Sequence, residues 1–93
     1  MQLEEIKQRI KPLLREAGVK HSAIFGSFAR GEATAESDVD LLVALQDDAS
    51  LLDVVALKLK LESALQRGVD LVEFNAIKPR LRNRILRDQV PIL

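Results

Sequence analysis

The sequence lacks cysteine, tryptophan and tyrosine, and it contains a single histidine, His21. Without cysteine the chain has no disulfide bond, no thiolate metal site and no cysteine nucleophile. One histidine also excludes a histidine-rich zinc site, so we expect any bound metal ion to be held by oxygen atoms. The three phenylalanines, Phe25, Phe28 and Phe74, are too few for a base-stacking surface, and we expect them in the core or in a pocket wall.

Long hydrophobic runs are missing as well. No apolar stretch approaches the roughly 20 residues that span a bilayer, and Met1–Glu5 has neither the basic start nor the apolar core of a signal peptide. The 93 residues are 47% hydrophobic and 30% charged, a balance typical of a globular protein. We expect a single domain over residues 1–93, located in the cytoplasm and without membrane contact.

The chain has no excess charge of either sign, because 14 basic residues balance 14 acidic ones. A neutral protein has no general attraction for nucleic acid. The charges are nevertheless segregated: seven acids and no basic residue lie between Gly31 and Leu57, whereas five basic residues and no acid lie between Lys78 and Arg87. Such segregation indicates two functional surfaces, or one site assembled from both segments.

Hydropathy periodicity predicts alternating helices and strands. Gly18 is expected to end a first helix, which Pro12 should kink or locally break because proline lacks the amide donor. Ser50 and Asp53 have the spacing of a capping box that opens a leucine-rich helix, and Gly68 is expected to end that helix. The predicted helices cover residues 2–17, 27–30 (one turn), 51–65 and 79–88, and the predicted strands cover residues 19–25, 39–45 and 69–74.

This order of elements predicts an α/β fold in which a small mixed sheet of about three strands is packed with helices. The strand over residues 39–45 is apolar on both faces beyond Asp40, which is typical of a strand covered on both sides. Helix 51–65 is apolar around much of its circumference. It is either enclosed in the core or partly used for self-association, and the sequence leaves both interpretations open.

Two aspartates, Asp38 and Asp40, stand at the start of the second strand. Residues two apart in a strand point to the same face, so the two carboxylates lie close together and repel each other. A hard divalent cation relieves this repulsion, and Mg²⁺ suits carboxylate ligands completed by water and substrate phosphate. Asp70 opens the third strand and interrupts its apolar face, so it is the candidate third carboxylate of a two-metal site.

A Gly26-Ser27 turn follows the first strand and is separated from Asp38 by ten residues. Glycine lets the backbone come close to a phosphate, and serine offers a hydroxyl together with nearby amides. Phosphoryl transfer depends mainly on positioning and on charge stabilisation. A metal held by the aspartates and a turn that holds phosphate would supply both.

The pattern Gly-Ser, ten residues, Asp-x-Asp and a later strand-borne aspartate resembles the nucleotidyltransferases of the DNA polymerase beta superfamily. The segments Phe25–Glu32, Ser37–Val43 and Val69–Val72 resemble its smallest branch, the minimal nucleotidyltransferases, and the similarity extends over about residues 3–93. Within this branch the chain is similar to the MntA-type antitoxins.

The resemblance implies a role for each matched residue. Gly26 and Ser27 would bind a nucleotide triphosphate, while Asp38, Asp40 and Asp70 would hold two Mg²⁺ ions and carry the catalysis; these residues, with Arg30, form the predicted site. Arg30 is not assigned by the motif, and we interpret it as an additional phosphate-binding residue.

The resemblance also implies an activity and a partner. Antitoxins of this branch transfer AMP from ATP to a tyrosine of a ribonuclease toxin with a HEPN domain, so we expect the same AMPylation here. The length of the chain supports a protein acceptor independently. Little sequence remains for an acceptor-binding domain once the sheet and its helices are formed, so another protein is expected to present the acceptor hydroxyl.

Other interpretations stay open. One alternative is a catalytically inactive antitoxin that neutralises its partner by contact alone, and another is a nucleic-acid-binding module that uses the basic run of residues 78–87. That run is most simply a solvated helix face; its functional alternatives are docking to an acidic partner and closing over nucleotide phosphates. Each motif of the predicted site also has a purely structural interpretation. Asp38 and Asp40 would then lie at a solvated strand start, Asp70 would be a turn residue and Gly26-Ser27 would be a plain tight turn.

Overall fold

A computed structural model describes all 93 residues of the chain. Four helices, four strands and one 3-10 turn follow each other along the sequence. In chain order they are α1 (Leu3–Glu16), β1 (His21–Phe25), α2 (Gly26–Arg30), β2 (Val39–Ala44), α3 (Leu51–Leu65), β3 (Val69–Glu73), the 3-10 turn (Phe74–Ala76), α4 (Pro79–Asp88) and β4 (Val90–Pro91). None of the four helices combines the length and the apolar composition that a membrane span requires.

The strands form one mixed sheet in the order β3-β2-β1-β4. Strand β1 pairs antiparallel with β2 and with β4, whereas β2 and β3 are parallel and are connected by α3. The predicted α/β fold with a small mixed sheet is confirmed. Strand β4 was not predicted, because a two-residue strand such as Val90–Pro91 is too short to show an alternating pattern.

Helices cover both faces of the sheet. On one face α1 and α3 pack against β2 and form the larger apolar cluster, which includes Ile6, Ile10, Leu41, Leu57 and Leu61. On the opposite face a smaller cluster contains Ala23, Leu42 and Ile77, and Ile85 and Leu86 of α4 pack against it. Strand β2 is therefore covered on both sides, as its sequence predicts. The face covered by α4 is called the second face below.

The first helix ends as predicted, but it is not broken. Gly18 lies in the left-handed region with φ 76°, and its amide donates to the carbonyl of Arg15 at 3.1 Å. Pro12 is expected to kink or locally break the helix; α1 continues through it without interruption, so the second of these alternatives, a break, does not occur. Pro12 is exposed, and water can reach the carbonyl that loses its amide partner on that side of the helix.

Helix α3 begins with the predicted capping box. The amide of Asp53 donates to Ser50 Oγ at 3.2 Å, and the amide of Ser50 donates to Asp53 Oδ2 at 2.9 Å. The prediction that Gly68 ends this helix is wrong, because Gln66 adopts the left-handed conformation at the C-cap with φ 55°. The side chain of Gln66 supports this geometry by donating from Nε2 to the carbonyl of Ser63 at 2.7 Å.

The leucine-rich helix α3 divides its apolar residues between the core and the surface. Leu57, Leu61 and Leu65 are buried, whereas Leu52 is 79% exposed and Leu59 is 59% exposed. One side of α3 therefore belongs to the core, and the opposite side is apolar and open to solvent.

This division predicts unequal effects of two substitutions in one helix. Leu61→Ala removes a fully buried side chain, and we expect it to lower the free energy of unfolding by about 2–5 kcal/mol. Leu59→Ala is the matched control, and it should change that free energy by no more than about 0.5 kcal/mol. Urea unfolding followed by circular dichroism measures both values. Equal losses in the two variants would contradict the assignment of the buried side of α3.

Candidate active site

The strand register places residues from separate parts of the sequence side by side on neighbouring strands. Asp40 of β2 is paired with Phe25 at the end of β1 and with Asp70 of β3. Gly26 follows Phe25 directly, and Asp38 immediately precedes β2. All the predicted motifs therefore meet at one edge of the sheet, where the parallel strands β2 and β3 begin. Asp40 shares its side of β2 with Leu42, so its carboxylate lies on the second face.

Asp40 and Asp70 form a carboxylate pair. Burial raises the pKa of Asp40 above its ordinary value of 3.8, and the negative charge of Asp70, a side-chain hydrogen bond with Asp70 and the charge of Asp38 raise it further. Arg30 acts in the opposite direction and lowers the pKa of Asp40. The repulsion among these carboxylates is therefore only partly offset by the neighbouring guanidinium.

The donor atoms at this edge fit a hard divalent cation, because they are carboxylate oxygens held close enough to repel each other. Asp40 and Asp70 are partners in the parallel register, so their side chains lie next to each other, and Asp38 is near enough for its charge to act on Asp40. No three acidic or histidine side chains are spaced to hold one ion together. The structure thus provides a pair of carboxylates with a third, exposed carboxylate beside it, rather than a closed set of three ligands.

Gly26 connects the first strand to the carboxylate pair. Its φ of 73° lies in the left-handed region, which favours glycine. A Cβ atom at this position would overlap the carboxylate of Asp40. Ser27 is the next residue, and its side chain is half-buried in the first turn of α2. The structure therefore places the predicted Gly26-Ser27 turn in contact with one of the predicted metal-binding aspartates.

Gly68 makes space for another of these aspartates. A Cβ atom there would lie 2.5 Å from Oδ1 of Asp38. The carbonyl of Gly68 accepts a hydrogen bond from the amide of Val39 at 2.9 Å, so the backbone before β3 lies against the start of β2. The sequence suggested a helix stop at Gly68, but its small size instead permits the close approach of Asp38.

Arg67 is a residue of the site region that sequence reasoning missed. Its Nη1 atom donates to the carbonyl of Ser37 at 3.0 Å, and its guanidinium carbon lies 5.1 Å from the ring centroid of Phe28. Arg67 therefore joins the segment before β3, the loop before Asp38 and helix α2. A lone arginine between a helix and a strand gives no sequence signal for this role.

Arg30, the remaining predicted site residue, lies at the exposed end of α2. Together with Gly26 and Asp40 it lines a cavity of about 250 Å³ between this edge of the sheet and α4. Its Nε atom donates to Glu32 Oε2 at 3.3 Å. The structure thus brings all six predicted site residues to one edge of the sheet.

The pKa of Asp40 predicts a gain in stability when its charge is removed. A carboxyl group with a raised folded-state pKa binds more protons when folded, so the free energy of unfolding falls as the pH rises from 3.8 through that pKa. Asp40→Asn carries no charge, so it should be more stable than the wild type at neutral pH, and this gain should vanish below pH 3.8.

Urea unfolding at the two pH values tests this expectation. Asp48→Asn is the control, because Asp48 is an exposed aspartate outside the site; its stability should follow that of the wild type at both pH values. An Asp40→Asn variant that is less stable than the wild type at neutral pH would contradict the unfavourable environment of the Asp40 carboxylate.

Two relatives resemble the chain over almost its full length. A protein of Methanocaldococcus jannaschii, provisionally named a protein adenylyltransferase, is 46% identical over 93 residues, and the alignment covers 100% of both chains. The protein adenylyltransferase MntA of Thermococcus cleftensis is 40% identical over 90 residues, which make up 96% of this chain and 91% of that protein.

Solved structures show the same fold. One that is provisionally described as a minimal nucleotidyltransferase has a TM-score of 0.84 and 41% identity, covering 98% of this chain and 96% of that one. A chain from a crystal structure of a toxin-antitoxin with AMP-PNP has a TM-score of 0.81 and 27% identity, covering 94% of this chain and 72% of that one. The family model described as "Polymerase beta, Nucleotidyltransferase" matches residues 8–93. The chain therefore belongs to the polymerase beta nucleotidyltransferase family.

Proposed function

We propose that this nucleotidyltransferase is a protein adenylyltransferase that transfers AMP from ATP to a hydroxyl group of a partner protein. The observation that carries the proposal is the close approach of Gly26 to Asp40, which is itself paired with Asp70, at one edge of the sheet. Relatives named as protein adenylyltransferases, at 46% and 40% identity along nearly the whole chain, support the same conclusion.

Each residue of the site has a part in the proposed reaction. Asp38, Asp40 and Asp70 are not spaced to hold one ion together, so they would share two Mg²⁺ ions, which when bound would offset the charge of the triphosphate and of the leaving pyrophosphate. Gly26 lets the backbone approach the phosphates and Ser27 offers its hydroxyl to them. Arg30 contributes a positive charge at the edge of the same cavity.

The chemical step is an in-line displacement at the α-phosphorus of ATP. The hydroxyl oxygen of the acceptor forms a bond to this phosphorus while the bond to the bridging oxygen of the β-phosphate breaks and pyrophosphate leaves. Asp70 accepts the proton of the hydroxyl group. Its exposure suits this role, because an acceptor carried by another protein has to reach it from solvent.

We propose that the acceptor is a tyrosine of a toxin with a HEPN domain, and that its AMPylation in the cytoplasm makes this chain the antitoxin. Asp38, Asp70 and Arg30 are all exposed, so a macromolecule can approach the site. The similarity to a chain of a toxin-antitoxin structure with AMP-PNP supports both the toxin partner and the use of ATP.

Transfer of labelled AMP to the partner tests this proposal. The chain is incubated with Mg²⁺, ATP labelled at the α-phosphate and the protein encoded by the adjacent gene. Label should appear on the partner and resist denaturation, and Asp40→Asn or Asp38→Asn should reduce the labelling rate at least about 100-fold. Asp48→Asn is the control, and it should label the partner at the wild-type rate.

The same variants separate catalysis from simple contact. If Asp38→Asn and Asp40→Asn bind the partner but no longer neutralise it, AMP transfer is the mechanism of neutralisation. If both variants neutralise the partner as well as the wild type does, the chain acts as a catalytically inactive antitoxin and the proposed activity is wrong.

Magnesium binding has a readout that does not depend on activity. A ligand present at ten times its dissociation constant stabilises the folded state by about 1.4 kcal/mol. For a domain of this size, that gain raises the melting temperature by roughly 5–10 °C. Mg²⁺ should produce this rise in the wild type and in Asp48→Asn but not in Asp40→Asn, with K⁺ salt at equal ionic strength as the reference. An equal rise in all three proteins would place the ion elsewhere.

A further inference from the structure

Only one residue of the basic run faces the candidate site. Five basic residues lie between Lys78 and Arg87, but the cavity beside Asp40 is lined by Arg84 and by none of the other four. Leu81, Ile85 and Asp88 line the same cavity. Leu81 and Asp88 lie three and four residues from Arg84 and so share its side of α4, and Ile85 is the next residue along the helix. The basic helix therefore has one arginine on the side of the site, while the rest of the run lies outside the cavity.

The orientation of α4 is set by apolar contacts that do not involve Arg84. Ile85 and Leu86 pack against the smaller cluster on the second face, and Ile77 is buried just before the helix begins. Helix α4 also packs against α2 and β1. Because none of these contacts involves the side chain of Arg84, we expect α4 to keep its position beside the cavity when Arg84 is substituted.

The opposite wall of the cavity contains Gly26, Arg30 and Asp40. Arg30 and Arg84 thus lie on two different helices and line one cavity together with Asp40. Arg30 is engaged with Glu32, and Asp88 is paired with Arg87 at 3.9 Å. Arg84 is exposed and takes part in none of the ion pairs or side-chain hydrogen bonds of the structure, so its guanidinium is free to bind a ligand.

We propose that Arg84 binds the triphosphate of the nucleotide, from the side of the site opposite to Gly26 and Arg30. This inference rests on the proposed function, because it assigns a further binding residue to the same site. A guanidinium group presents a planar set of donors that matches phosphate oxygens in a bidentate manner. Gly26 and Arg84 line the same cavity, so a triphosphate bound there can contact both.

The same geometry disfavours an acidic protein partner as the ligand of Arg84. A carboxylate of a partner that entered this cavity would meet Asp40, whose like charge is already costly. A metal-bound triphosphate brings its own cation to the carboxylates. The other basic residues of α4, such as Arg80 and Arg82, line none of the cavities and remain a solvated face.

Arg82 supplies a matched control in the same helix. Arg82 and Arg84 are both exposed arginines, so Arg82→Ala and Arg84→Ala change the net charge equally and leave the core intact. Binding of ATP and of inorganic tripolyphosphate is measured by calorimetry in the presence of Mg²⁺, with adenosine as a ligand that lacks phosphate. Arg84→Ala should weaken the binding of ATP and of tripolyphosphate by about tenfold or more.

Arg82→Ala should leave both dissociation constants within about twofold of the wild-type values, and Arg84→Lys should fall between Arg84→Ala and the wild type because it keeps the charge but not the planar donors. Adenosine binding should be equal in all four proteins. Equal effects of Arg82→Ala and Arg84→Ala would overturn the assignment of Arg84, and so would a loss of adenosine binding in Arg84→Ala as large as its loss of ATP binding. Neither result would affect AMP transfer by the wild type. A wild-type chain that binds neither ATP nor tripolyphosphate would overturn the proposed function together with this inference.

Discussion

The backbone ladder between β2 and β3 is the constraint on which the site depends. Parallel pairing of Asp40 with Asp70 places two acidic side chains next to each other on the second face, and the strands cannot separate them without losing their hydrogen bonds. The repulsion is therefore built into the fold, and it adds to burial, the larger cause, in raising the pKa of Asp40. Carboxylates with a perturbed pKa in one cluster are typical of functional sites, and in the proposed function this cluster holds the cation that accompanies the triphosphate.

Small residues are the second condition for this arrangement. Gly26 and Gly68 each stand where a Cβ atom would collide with a carboxylate, the first with Asp40 and the second with Asp38. Asp38 and Asp40 are thus each packed against the backbone of a glycine. Arg67 also supports this arrangement, because it connects the loop before Asp38 to Phe28 of α2.

The sequence predicts those features that depend on local patterns. The bounds of α3 and α4, the capping box at Ser50 and the end of α1 at Gly18 follow from periodicity and end signals, and the structure confirms them. Features that depend on distant partners are not visible in the sequence. Strand β4 exists only because β1 offers an edge to pair with. The sequence predicts that Gly68 ends α3, but Gln66 takes the left-handed position there and Gly68 instead lies against Asp38. No local pattern in the sequence predicts this division of roles.

The role of α4 also depends on tertiary structure, because a basic run alone does not show which of its arginines faces the site. The last residues of the chain fix this helix: Ile92 is buried, and the amides of Ile92 and Leu93 both donate to the carbonyl of Ser22, at 2.9 and 3.2 Å. Buried residues therefore anchor both ends of α4, Ile77 before the helix and Ile92 after it. Anything that detaches the two-residue strand β4 from the sheet would release one end of α4, and the disturbance would reach the cavity beside Asp40 without touching any aspartate.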